Sequence, residues 1–131
     1  MTSSAAVRIA RPFATSAEET YWAWLDPLVM HRWLFVRPTS EIVEINMSPR
    51  AGGFFSIIER DNSHDIDHRG RFEEMVKPCH LALSIEGDGS VSIDIEPRGS
   101  GCELTMMVNR DAVETWTAML ARLDTVLRGE C

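Results

Sequence analysis

The sequence predicts an α+β fold in which an antiparallel sheet of short strands covers a long C-terminal helix, and three patterns predict it. Residues 111–128 set Val113, Trp116, Leu120, Leu123 and Leu127 at spacings of three and four, one face of a helix that Met119 and Val126 widen. An apolar face this broad must be covered. Upstream, short strand-like segments are separated by brief Gly- and Pro-bearing reversals, which force antiparallel neighbours. Between the first of these segments and the rest stand two helix-capping signals.

In chain order, residues 6–13 alternate, with Val7, Ile9 and Arg11 on one side, and read as a first strand. Ser16 and Glu19 form a capping box, in which hydroxyl and carboxylate satisfy free amides at a helix start, and a short helix follows to about Trp24. Asp26 caps a second helix with Pro27 at its first position, where the missing amide hydrogen costs nothing. This helix is expected to reach Trp33 or Leu34 before Pro38 blocks extension. From Glu41 the period is two, with Val43, Ile45 and Met47 on one face and Glu44 and Asn46 on the other. Residues 48–53 are a turn, and residues 54–60 a strand with Phe55, Ile57 and Glu59 together. Residues 61–67 are polar and read as a loop. Strands are then expected over 68–76, 81–86, 91–96 and 102–108, joined by Lys77-Pro78, Gly87-Asp-Gly89 and Pro97-Arg-Gly-Ser-Gly101. Asp111 and Glu114 match a second capping box at the start of the final helix, and Gly129 is a natural left-handed stop.

At 131 residues the chain has the length of one domain, residues 1–131, and 44% hydrophobic with 25% charged residues is the composition of a globular protein. Twenty acidic against 13 basic residues give a net charge of -7, which disfavours nucleic acid and anionic membrane as partners because phosphate would repel it. No run of apolar residues is long enough for a membrane insertion, and the start lacks the basic-then-apolar order of a secretion signal, so the expected compartment is the cytoplasm. Cys79, Cys102 and Cys131 form no C-x-x-C pair. Cys79 and Cys102 are expected as small buried hydrophobes and Cys131 as exposed.

Particular residues within this order carry a resemblance. They are Val7-x-Ile9-x-Arg11-x-Phe13-Ala14, Ala17-Glu18-x-x-Tyr21-Trp22-Ala23-Trp24-x-Asp26-Pro27, Trp33, Arg50-Ala-Gly-Gly53-x-Phe55, Gly70-x-Phe72-x-Glu74, Pro78-x-x-Leu81 and Trp116-x-x-x-Leu120-x-x-Leu123-x-x-x-Leu127. Together they span nearly the whole chain and resemble the START-like helix-grip superfamily, in its branch named for the heat-shock protein 90 ATPase activator homologue. The resemblance implies a curved antiparallel sheet of about seven strands around the long C-terminal helix, two short helices after the first strand, and a cavity between sheet and helix. One departure concerns the Asp that usually opens the Gly-Gly turn, for which Asn46 or Ser48 is nearest. Relatives carry lipids or small molecules, cyclise aromatics, hydrolyse, or regulate a chaperone. Such a fold fixes where to look, not what is done there.

Aromatic residues Trp22, Trp24, Trp33, Phe54, Phe55, Phe72 and Trp116 fit either a core or the lining of an apolar cavity. Trp33, Phe55, Ile57, Phe72, Trp116 and Leu120 are the expected ligand-facing set, with Glu59 and His68 as its polar members. Mid-strand Glu59, Glu73 and Arg71 can aim inward, and an inward carboxylate is open to a raised pKa and acid–base work. His31 reads as a surface residue. The run His64-Asp65-Ile66-Asp67-His68 is dense in metal-ligand types, but an extended chain sets its imidazoles too far apart to share an ion, so no metal is expected. No nucleophile elbow, P-loop or dinucleotide fingerprint occurs, and no cofactor is expected. Arg50-Ala-Gly-Gly53 reads as a close strand turn. These residues favour binding of a small hydrophobic or aromatic molecule over catalysis. A chaperone ATPase-regulating module is the alternative, and a cyclase or hydrolase using an inward Glu or His is the third reading. Homodimerisation through an edge strand is compatible with the sequence but not specified by it.

Overall fold

A computed structural model describes residues 6–87 and 89–129. The expected exposure of Cys131, and Asp88 of the Gly87–Gly89 turn, lie outside them. The chain forms β1 (Ala6–Phe13), α1 (Ala17–Trp22), α2 (Pro27–Met30), β2 (Ser40–Met47), β3 (Phe54–Asp61), β4 (His64–Val76), β5 (His80–Ile85), β6 (Gly89–Arg98), β7 (Gly101–Asn109) and α3 (Val113–Leu127). All neighbours in the seven-stranded sheet are antiparallel, in the order β1-β7-β6-β5-β4-β3-β2, so β1 and β2 are its free edges. This is the α+β helix-grip architecture, a curved sheet whose concave face lies against α3.

Of the three expected helix caps, the two at Ser16 and Asp26 form through their own side-chain oxygens. Ser16 Oγ accepts from the Glu19 amide at 3.2 Å, and Asp26 Oδ1 accepts from the Leu28 amide at 3.0 Å. The box at Asp111 does not form. Asn109 instead caps a single 3-10 turn, its Oδ1 accepting from the Asp111 amide at 3.0 Å, and α3 grows from that turn with no side-chain cap of its own. Both early helices end sooner than expected. Trp33 and Leu34 sit in tight turns after α2, with their amides bonded to the Met30 carbonyl at 3.1 and 2.9 Å.

The sheet corrects three further expectations. In β2 the register shifts between Ile42 and Glu44, and this bulge turns Val43 out to 40% exposure while Ile42, Ile45 and Met47 pack on the core. Residues 61–67 are not a loop. β3 and β4 continue as a hairpin closed at Asn62-Ser63, where Asn62 takes the left-handed conformation (φ 61°) that its short polar side chain tolerates. Glu59 and Ile66 pair across it, as do Ile57 and His68. Finally, Cys79 lies on a turn and is exposed, whereas Cys102 in β7 is buried as expected.

Gly70 is required by packing. A β-carbon there would run into the Phe55 ring and the Ser84 carbonyl, so the missing side chain lets Phe55 lie across β4. The core beneath the sheet is built from three indoles. Trp24 meets Trp33 edge-on at 4.7 Å and stacks on Trp116 at 5.9 Å, while Trp33 Nε1 donates to the Ala23 carbonyl at 3.1 Å.

Candidate functional site

The concave face of β3 carries Phe55, Ile57 and Glu59 in series, and β4 carries Ile66, His68 and Phe72 opposite. Period-two alternation thus delivers one carboxylate and one imidazole to the apolar side of the sheet. Glu59 is 2% exposed. A buried charge needs partners: Arg37 Nε donates to Glu59 Oε2 at 2.6 Å and His68 Nε2 to Oε1 at 2.9 Å. Arg37 also reaches Asp61 at 3.3 Å.

Burial pushes the Glu59 carboxyl up, but hydrogen bonds from His68, Ser40 and Arg37, with the Arg37 charge, outweigh it and hold the group below the ordinary carboxylate range. Inward placement therefore does not raise its pKa, because the sheet supplies cationic and hydrogen-bonding partners along with the burial. Glu59 is an ionised anchor. An ionised carboxylate only accepts, so its bond assigns the hydrogen to His68 Nε2. Nδ1 has no hydrogen-bond partner among the described residues and is not among the buried unpaired atoms, so it reaches solvent-accessible space.

Phe35 completes the group. Its ring stacks on His68 with centroids 4.0 Å apart and planes within 3°, and meets Trp116 at 5.8 Å with the planes 61° apart. Its backbone is left-handed (φ 62°), a conformation that costs a non-glycine residue on the order of 1 kcal/mol. The turn is held by the Phe35 amide, 3.0 Å from Met119 Sδ on α3.

These residues border a cleft of about 410 Å³ at the open side of the sheet–helix interface. Phe35, Val36, Pro38, Ile66, Ala118 and Met119 supply apolar walls, with Arg37, Glu59, His68, Thr115 and Arg122 as the polar groups. The volume falls within the roughly 300–1,000 Å³ of small-molecule sites. The α3 contribution, Thr115, Ala118, Met119 and Arg122, follows helical spacing along one face.

Of the residues expected to face a ligand, the structure brings Glu59 and His68 to this cleft. Trp33, Phe55, Ile57, Phe72, Trp116 and Leu120 lie in the packed interior, where the space among Trp24, Met30, Leu34, Phe35, Phe55, Ile57, Phe72, Leu83 and Trp116 is only about 10 Å³. That is room for one water at most. Trp22 and Phe54 are exposed, at 45% and 51%. Arg71 and Glu73 point to the outer face, where Arg71 bonds the Gly52 carbonyl and Glu73 accepts from Ser84. His31 is exposed. Phe35, Arg37 and Arg122 carry no signal of a site in the sequence, and Met119 stands there only as part of the apolar stripe of the final helix. Only Pro38, which restrains Arg37 and ends the helical turns, hints that residues 34–38 adopt a special path.

A larger hollow of about 530 Å³ on the β3–β5 side includes Phe54, the buried Phe55, Arg69, Arg71 and Glu86, but both arginines are engaged, Arg69 with Asp67 and Arg71 with Gly52. Among the described residues no three His, Cys, Asp or Glu side chains gather as a metal site, and no helix is long and apolar enough to cross a membrane.

Comparison with known proteins matches this architecture. The family model described as activator of Hsp90 ATPase homolog 1-like protein covers residues 14–128. No curated protein matches significantly. Among solved structures, a protein from Nitrosomonas europaea is 16% identical with a TM-score of 0.84, over 98% of this chain and 97% of that one. A Rhodobacter sphaeroides protein is 24% identical with a TM-score of 0.83, over 98% and 96%. The Aeromonas hydrophila AHSA1-like protein is 17% identical with a TM-score of 0.78, over 94% and 93%. At these identities the likeness is one of fold.

Proposed function

The chain belongs to the activator of Hsp90 ATPase homolog 1-like family, and from that premise we propose that it is a cytoplasmic binding protein for a small hydrophobic or aromatic molecule. The observation that carries this reading is the 410 Å³ cleft, whose apolar walls meet one oriented imidazole. Apolar burial against Phe35, Ile66 and Met119 supplies affinity, and His68 Nδ1 supplies one directional hydrogen bond. Glu59 and Arg37 act at one remove, holding the imidazole in place. The expected contacts from Trp33, Phe55, Ile57, Phe72, Trp116 and Leu120 become indirect, since these side chains form the rigid floor behind the site.

A thermal-shift and native mass spectrometry screen of apolar and aromatic metabolites tests the reading, paired with Ala118→Phe. Ala118 is exposed on the cleft side of α3, so a ring there fills the cleft without entering the core. Binding compounds should raise the transition of the native chain and lose most of that effect in A118F. A screen without a single stabilising compound, or hits indifferent to A118F, overturns the proposal. Regulation of a chaperone ATPase, which the family description suggests, predicts instead that the chain stimulates Hsp90 turnover.

A further inference from the structure

We infer that the cleft selects amphipathic monocarboxylates, an apolar body carrying one carboxylate, with Arg122 as the residue that binds the acid group; this rests on the cleft being the binding site. The chain is acidic overall, with a net charge of -7, yet the cleft lining holds two arginines against one carboxylate. Arg37 is committed to Glu59 and Asp61. Arg122 is not: among the described residues it forms no ion pair or hydrogen bond, and it is only partly exposed. Its helical neighbours at three and four positions are Met119, Thr125, Ala118 and Val126, none of which is acidic. A partly buried arginine without a carboxylate partner, at the end of an apolar cleft, is complementary to an anion brought by the ligand.

Valence and length narrow the class. One free guanidinium presents a planar fork that suits a carboxylate, whereas a phosphate dianion would meet a single free cation and the nearby Glu59 charge. Thr115 and Arg122 bracket the α3 wall and are seven residues apart, so the apolar floor between them runs about 10 Å. That length accepts a medium alkyl chain or an aromatic ring on a short tether. His68 Nδ1, on the strand side, is left for a second polar group of the ligand.

The test compares 4-phenylbutyrate with its neutral isostere 4-phenylbutanamide by calorimetric titration at low and high salt. Against the native chain the acid should bind about tenfold more tightly than the amide, as expected for a charge-assisted bond. That preference should shrink as salt rises. Arg122→Gln should bring acid and amide to equal affinity, and Arg122→Lys should restore part of the preference. Equal binding of acid and amide to the native chain overturns the carboxylate inference while leaving the apolar site intact. A preference that survives R122Q overturns the role of Arg122. Binding of neither compound, after a screen in which nothing stabilises the chain, removes the site itself.

Discussion

Replacing Glu59 with Gln keeps the shape of the side chain and removes its charge, which makes it the most direct test of the network behind the cleft. The carboxylate is 2% exposed and accepts bonds of 2.6 Å from Arg37 and 2.9 Å from His68. Breaking a buried ion pair costs about 3–5 kcal/mol when the surviving charge is stranded. Arg37 is not stranded, because its side chain is 50% exposed and regains water. Gln also keeps one acceptor oxygen. With hydrogen bonds to charged groups worth about 1.5–3 kcal/mol, the net loss at neutral pH should be about 1–3 kcal/mol. At roughly 4 °C per kcal/mol for a chain of this size, that is a fall of about 4–12 °C in Tm. The pH dependence carries its own sign. A carboxylate whose folded pKa is depressed adds stability that is present above its unfolded value and lost as pH falls through the folded pKa. The gap between native chain and E59Q should therefore be full at pH 7 and close in acid. Urea melts at pH 7 and near pH 3 measure both. A gap below about 0.5 kcal/mol at pH 7, or one undiminished in acid, would refute the ionised-anchor reasoning.

Other perturbations follow from the same contacts. Gly70→Ala should destabilise by about 1–3 kcal/mol in denaturant melts, because the added carbon meets the Phe55 ring and the Ser84 carbonyl, and one of them must move. Asp124→Asn should cost about 1–3 kcal/mol at neutral pH and progressively less in acid, since the carboxylate that binds Arg11 at 3.0 Å and Arg128 at 3.1 Å resists burial and is held low by both. His80, bridging Asp94 and Glu74 at 2.7 and 2.8 Å, is held above its ordinary pKa first by Asp94 and then by Glu74. Its contribution is present below the unfolded value of about 6.5 and lost as pH rises through the folded one. His80→Gln should thus lower stability in urea melts by about 0.5 kcal/mol at pH 5.5 and not at pH 9, since both carboxylates are well exposed.

The elements legible in the sequence were those whose signal is local. The helical spacing of Trp116, Leu120 and Leu123 and the caps at Ser16 and Asp26 announce themselves within a few residues, and each formed as read. Alternation also placed Glu59 inward correctly, because Phe55 and Ile57 share its face. Two strand features escaped because their polarity misleads. The β3–β4 hairpin tip is rich in Asp, Arg and His as its outer face is solvated, so only Ile66 marks its inner face. The bulge that turns Val43 out has no signature in a run of alternating residues. The candidate site was half legible for a different reason. Glu59 and His68 come from strands, whereas Phe35, Arg37, Met119 and Arg122 meet them only through tertiary packing between a turn and a helix distant in sequence.

That packing also explains why the cleft lies beside the core. Three indoles and Phe72 fill the space that a helix-grip fold leaves between sheet and helix, reducing it to about 10 Å³. What remains open is decided by the exit from α2. Had residue 35 continued in a right-handed turn, its side chain would project along a different direction from the one that now lies flat on His68. The left-handed step instead sets Phe35 between two spaces, bordering the inner one with Trp116 and the cleft with His68. Met119 plays the matching part from α3, buried in the core yet lining the cleft. A strained backbone persists only where its surroundings over-determine it, and here they do so through one amide–sulfur contact and two ring contacts. The strain at Phe35 thus separates a core that must stay full from a cleft that can stay open.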